Sequence, residues 1–202
     1  LTDHFYSKII KNSRMKKITL KKIKLAFTCV FLLSTFFGYS QTNQPFTTSG
    51  SFTVPAGVTS ITIEAWGAGG KGGSKAGNGS GNQYGGGGGG AYSKKVLTVT
   101  PGLSYSVTVG SGNTTTVLGG DSWFSDRAVF LAKGGKSVPD DTTTGASGAL
   151  SSNCIGDTVF SGGNGANGTN TDGGGGGSSA GSVSNGVSTN NQTGAIAPTG
   201  SN

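Results

Sequence analysis

The fold is decided by residues 52–73, FTVPAGVTSITIEAWGAGGKGG, which hold a strand ending, a turn, an alternating strand and an abrupt passage into glycine. Phe52 and Val54 flank Thr53 on one face of an extended segment. Pro55-Ala56-Gly57 reads as a turn, because proline pre-sets φ and glycine accepts a positive one. From Ser60 the period is two, with Ile61, Ile63 and Ala65 facing one way and Thr62, Glu64 and Trp66 the other. β-Branched residues dominate this run and favour strand over helix. At Gly67 the alternation stops and glycine-rich chain takes over, culminating in six consecutive glycines at 85–90.

Working outward, residues 91–99 (AYSKKVLTV) predict a second strand with Leu97 and Val99 inward, followed by a Pro101-Gly102 turn. Residues 104–110 (SYSVTVG) alternate again, with Tyr105, Val107 and Val109 inward. Shorter strands are expected at 115–118, 122–124 and 128–132, the last continuous enough (AVFLA) to be buried on both faces. Thr158–Ser161 is one further short candidate. No segment carries useful helical periodicity. The expectation is an all-β fold, an antiparallel β-sandwich or jelly-roll-like domain over residues 41–135 with a glycine-rich insertion.

Beyond Lys136 the apolar residues thin out, and 136–202 is largely Gly, Ser, Thr, Asn and Ala. Such chain buries too little to offset its backbone entropy unless it lies on something else. Two readings compete: a flexible tail, or extended polyglycine-II-like strands packed side by side where no side chain blocks close approach. The sequence breaks off at Asn202 in mid-pattern, as a C-terminally truncated region would.

Upstream, Met15 opens a lysine-rich stretch (Lys16, Lys17, Lys21, Lys22, Lys24), an apolar run follows at 25–37, and Gly38 and Ser40 supply small residues before Gln41. This is the layout of a secretory signal peptide over 15–40 with cleavage between Ser40 and Gln41. The apolar run falls short of the roughly 20 residues a membrane span requires, so a processed product would not be an integral membrane protein. Residues 1–14 read as leader from a mis-set start. The expected product is secreted or held at the outer cell surface.

That processing reverses the apparent electrostatics. Of 15 basic and 8 acidic residues, eight bases and one acid lie in residues 1–40, leaving seven of each. A neutral product carries no basic patch for nucleic acid. His4 and Cys29 also lie upstream, so Cys154 is the single cysteine remaining and no internal disulfide is expected.

Without a histidine, no Ser/His/Asp, Cys/His or histidine-zinc arrangement is expected, and no enzyme or cofactor is predicted. A carboxylate pair such as Glu64 with Asp126 is the one hydrolytic arrangement the residue types permit. Gly67, Gly69 and Gly72 fit a dinucleotide fingerprint in spacing, but the following GSKAGNGSGNQY cannot supply the helix that pattern needs. Gly134-Gly135-Lys136-Ser137 fails as a phosphate loop, with Phe130 where glycine is required. Asp140 and Asp141 are weak calcium candidates, outside any alternating acidic loop. Aromatics are the better handle: Trp66, Tyr84, Tyr92 and Trp123 adjoin glycine-rich turns, where flat rings can stack against sugars or pack on bare backbone.

Residues 52–73, then GGGGGGAYSKKVLTVTPGLSYSVTVGSG and GGDSWF, resemble the glycine-rich domain of exported bacterial surface proteins of the Bacteroidetes type. They are also similar to glycine-rich segments of phage tail-fibre tips and adhesins. The resemblance implies a non-catalytic structural or adhesive role, with surface glycans or other surface proteins as partners. It further implies O-glycosylation at Thr142 and Thr158, which follow Asp141 and Asp157. A carbohydrate-binding accessory module of a larger exported enzyme is the alternative.

Overall fold

The computed structural model describes residues 41–75, 83–112 and 118–198. The proposed signal segment 15–40, the leader 1–14, and Ser40 itself lie outside the described residues. Gln41 is exposed. The described chain from Pro45 onward forms one compact unit.

Its strands are β1 (Gly50–Thr53), β2 (Ser60–Trp66), β3 (Tyr92–Thr98), β4 (Ser104–Thr108), β5 (Ser122–Phe124), β6 (Leu131–Ala132) and β7 (Thr158–Phe160). They build two antiparallel sheets, ordered β1-β4-β5-β6 and β2-β3-β7. The alternation expected for β2 appears as expected: Ile61, Ile63 and Ala65 are half-buried between exposed neighbours. In the other sheet Phe52 pairs with Tyr105, and Val107 with Phe124. Their rings cluster, with Phe124 centred 6.2 Å from Phe52 and 5.3 Å from Tyr105. The turns 55–58 and 101–103 are bonded to one another through Val54 and Leu103, and Gly57 and Gly102 both adopt φ +81°.

One expectation is corrected, and one open choice is resolved. Residues 128–132 are not one strand: Ala128 and Val129 are exposed in a turn. The Asp126 carboxylate accepts the Ala128 amide there at 2.7 Å, and the Asp126 carbonyl accepts those of Val129 and Phe130. A local side-chain acceptor outcompetes the ladder, and β6 keeps only Leu131 and Ala132. Of the strand expected at 115–118, only Leu118 is described, in a bridge to Lys136.

The open choice concerned residues 136–202, of which 136–198 are described. They pack as a layer of extended segments around residues 85–90. Backbone hydrogen bonds recur at every third residue: Gly67, Gly70 and Gly73 donate to Ala91, Gly88 and Gly85. Gly174, Gly177 and Ala180 donate to Tyr84, Gly87 and Gly90, and Gly162, Gly165 and Gly168 to Ala149, Ala146 and Thr143. A β-ladder repeats every second residue; three is the period of the polyproline-II helix, which has no internal hydrogen bonds and must bond to its neighbours. The polyglycine-II alternative is the arrangement found.

Residues 85–90 are buried throughout and touch segments on every flank. Amides of Gly85, Gly88 and Ala91 donate to 133–142, and those of Gly86 and Gly89 donate to Ala166 and Gly163. A methyl group on Gly85 or Gly88 would fall on the carbonyl of Thr144 or Ser147; on Gly86 or Gly89, on Gly175 or Ser178; on Gly87 or Gly90, on Gly70 or Gly67. Three walls of carbonyl oxygen thus face one glycine in three, and no larger residue fits. The segments are continuations of the sandwich: β2 runs into 67–74, 84–91 feeds β3, β6 runs into 133–144, and β7 into 161–168.

Candidate functional site

In the β2-β3-β7 sheet the strands meet the glycine segments at bulky residues. Trp66 of β2 pairs with Tyr92 of β3, which pairs with Phe160 of β7. The rings form a row across the outer face of the sheet, 4.9 Å between Trp66 and Tyr92 and 6.1 Å between Tyr92 and Phe160. The Trp66 indole N–H donates to the Ala180 carbonyl at 2.9 Å, joining the row to the glycine layer. Its orientation is therefore fixed while 44% of its surface stays exposed.

Tyr92 is fully buried between its neighbours, which corrects its reading as a ring open to ligand. Its hydroxyl finds no hydrogen-bond partner among the described residues. Burial, reinforced by the nearby Glu64 carboxylate, pushes the phenol well above its usual pKa.

The next row along the same face holds Glu64, Lys94 and Thr158 in register. Lys94 Nζ lies 2.9 Å from Glu64 Oε1, and both side chains are partly exposed. Thr158, the glycosylation candidate, is exposed beside them. Thr62 and Val96 continue the face, and the Asp157 carboxylate accepts the Val96 amide at 3.0 Å.

Trp123 sits elsewhere, on β5, half-buried, with the Arg127 guanidinium carbon 4.9 Å from its ring centroid. A cation already covers that ring. Arg127 also pairs with Asp121, whose carboxylate receives Lys133 Nζ at 2.8 Å and the Gly134 amide at 2.9 Å. Burial alone would raise the Asp121 pKa, but the Lys133 ammonium, the Gly134 amide and Arg127 together outweigh it and hold the carboxyl below its ordinary value. Sequence reasoning missed this cluster, since its members lie in three separate segments.

Tyr84 is half-buried, and its hydroxyl donates to Asp141 at 3.3 Å. Asp140 receives Lys71 Nζ at 2.7 Å and the Ser74 hydroxyl at 2.6 Å, contacts that hold its carboxyl below the ordinary range. Asp141 adopts φ +59° in the same turn. The calcium reading of Asp140 and Asp141 does not fit these contacts, because an ammonium occupies the Asp140 oxygen that a cation would use. No cluster of three or more metal-ligating side chains occurs among the described residues. Thr142 is half-buried, its hydroxyl 3.5 Å from the Asp140 carbonyl.

Glu64 and Asp126, the carboxylates considered for hydrolysis, are each engaged: Glu64 with Lys94, and Asp126 in its own turn. Cys154 is half-buried, its sulfur 3.5 Å from the Lys133 amide.

A family of glycine-rich domains matches residues 47–202, spanning both sheets and the whole glycine layer. No curated protein matches the chain.

Proposed function

Because the chain belongs to the glycine-rich domain family, we propose that it is a non-catalytic structural or adhesive module, exported and displayed at the cell surface. The observation that carries this reading is the buried hexaglycine at 85–90, enclosed by main chain on every flank. An interior made of hydrogen-bonded backbone holds a shape rather than a reactive cluster. It also keeps peptide bonds out of reach of proteases, which suits a protein working outside the cell.

Export is supported by the lysine-rich and apolar order of residues 15–40. Surface glycans or other surface proteins are the partners, and Thr158 and Thr142 the positions for attached sugar.

The test is a chain carrying a C-terminal tag, followed by cell fractionation, protease shaving of intact cells and an attachment assay with and without the gene. The reading expects tag at the surface, a product beginning near Gln41, and weaker attachment in the deletion. A cytoplasmic product retaining residues 15–40, or unchanged attachment, overturns it.

A further inference from the structure

We infer that the outer face of the β2-β3-β7 sheet, at Trp66, Glu64 and Lys94, is a binding platform for a neutral saccharide ring. The inference deepens the adhesive reading above by naming a site and a ligand class.

The indole is the first element. Trp66 is half exposed, yet its N–H is committed to Ala180 and one side packs against Tyr92. It is a fixed apolar plate of the kind a sugar's C–H face covers, and its orientation requires no ordering when a ligand arrives. The second element lies one step along the strands. Residues two apart on a strand repeat on one face after about 6.6–6.8 Å. A sugar ring seated on Trp66 therefore reaches Glu64 and Lys94 with its hydroxyls. Together these supply carboxylate acceptors and ammonium donors, held to each other at 2.9 Å.

The charge of the row selects the ligand. One carboxylate and one ammonium sum to zero, so Glu64 opposes a polyanion and Lys94 opposes a cationic side chain stacking on the indole. Exposed Thr158 and Thr62 extend the polar rim without adding charge. Beneath the row Tyr92 is fully buried beside Glu64, so it backs the indole from below and stays out of a ligand's reach.

The test uses the full chain with Trp123→Phe, so that intrinsic fluorescence reports Trp66 alone. Neutral hexasaccharides of glucose, mannose and xylose are titrated beside hexagalacturonate. Saturable quenching by at least one neutral sugar is expected, unchanged on raising the salt. Glu64→Ala and Lys94→Ala should each weaken it about tenfold. These two variants replace partly exposed groups, and melting curves matching the parent keep them informative even if Trp66→Ala fails to fold. Quenching by no neutral sugar, quenching unmoved by both substitutions, or salt-sensitive binding of hexagalacturonate alone overturns the inference. Surface location is measured separately, so a displayed protein that binds no sugar sinks this site and leaves the structural role standing.

Discussion

Gly88 stands with its α-carbon against the carbonyl of Ser147, so that a methyl group placed on it would land on that oxygen. The Gly88 amide meanwhile donates to Lys136 at 2.9 Å, and its carbonyl accepts the Gly70 amide at 2.8 Å. One residue is thus held by three different segments, two through hydrogen bonds and one through close approach.

The consequence is a position-specific alanine response within one glycine-rich layer. Gly88→Ala and Gly89→Ala push a methyl onto backbone that is itself bonded and cannot yield. Each should cost at least about 3 kcal/mol or prevent folding. Gly69→Ala meets only ordinary contact, its nearest atom 3.7 Å away. Gly69 lies outside the left-handed region that strains a side chain, and the unfolded chain loses freedom, so Gly69→Ala should be neutral or stabilising by about 0.5 kcal/mol. Chemical denaturation of the three variants checks the contrast; equal effects would mean the layer is not packed as described.

How far the sequence reaches is visible in the same layer. The sandwich was legible because Ile61, Ile63 and Ala65, or Tyr105 and Val107, announce their face by alternating with polar neighbours. Residues 136–202 were not, because glycine has no side chain to announce a face. A fainter signal was present: Asn164 and Asn167, and Asn185, Ser188 and Asn191, recur at the spacing of three that the hydrogen bonds follow. The Trp123–Arg127–Asp121–Lys133 cluster lay beyond pattern reading, since only the paired strands bring its parts together.

Asp121 gives the pH dependence. Its carboxyl is held below the ordinary value of about 3.9, so the folded state binds its proton less tightly than the unfolded chain does. The stabilisation is present above the ordinary value and is lost as pH falls through the folded one. Asp121→Asn should cost about 1.5–3 kcal/mol near neutrality, leaving Lys133 and Arg127 without their anion. Melting temperatures taken from neutral pH into acid should show wild type and variant converging below about pH 4. A gap that stays constant into acid would mean that the charge contributes nothing.

The two proline-glycine turns separate backbone strain from packing. Gly57 and Gly102 share φ +81°, and a methyl on either meets nothing within 4 Å. Gly102→Ala should therefore cost about 1–2 kcal/mol through conformation alone. Gly102→Asn should recover part of the loss, since asparagine tolerates the left-handed region. Equal melting temperatures for the two variants would contradict this account.

The asparagines of the glycine layer act as detached acceptors. Asn164 Oδ1 accepts the Gly148 amide at 2.9 Å, and Asn167 Oδ1 accepts that of Gly145 at 2.8 Å, each replacing a carbonyl the neighbouring segment does not offer. Gly148 is buried, so its amide has no ready substitute in water. Asn164→Ala should cost about 1–3 kcal/mol by stranding that donor, whereas Asn164→Asp keeps an acceptor at the same reach and should cost less. Hydrogen exchange at Gly148 is the direct readout: it should quicken in the alanine variant and stay slow in the aspartate one. If Asn164→Ala left that amide protected, the small polar side chains would be spacers, and the layer would be held by main-chain bonds alone.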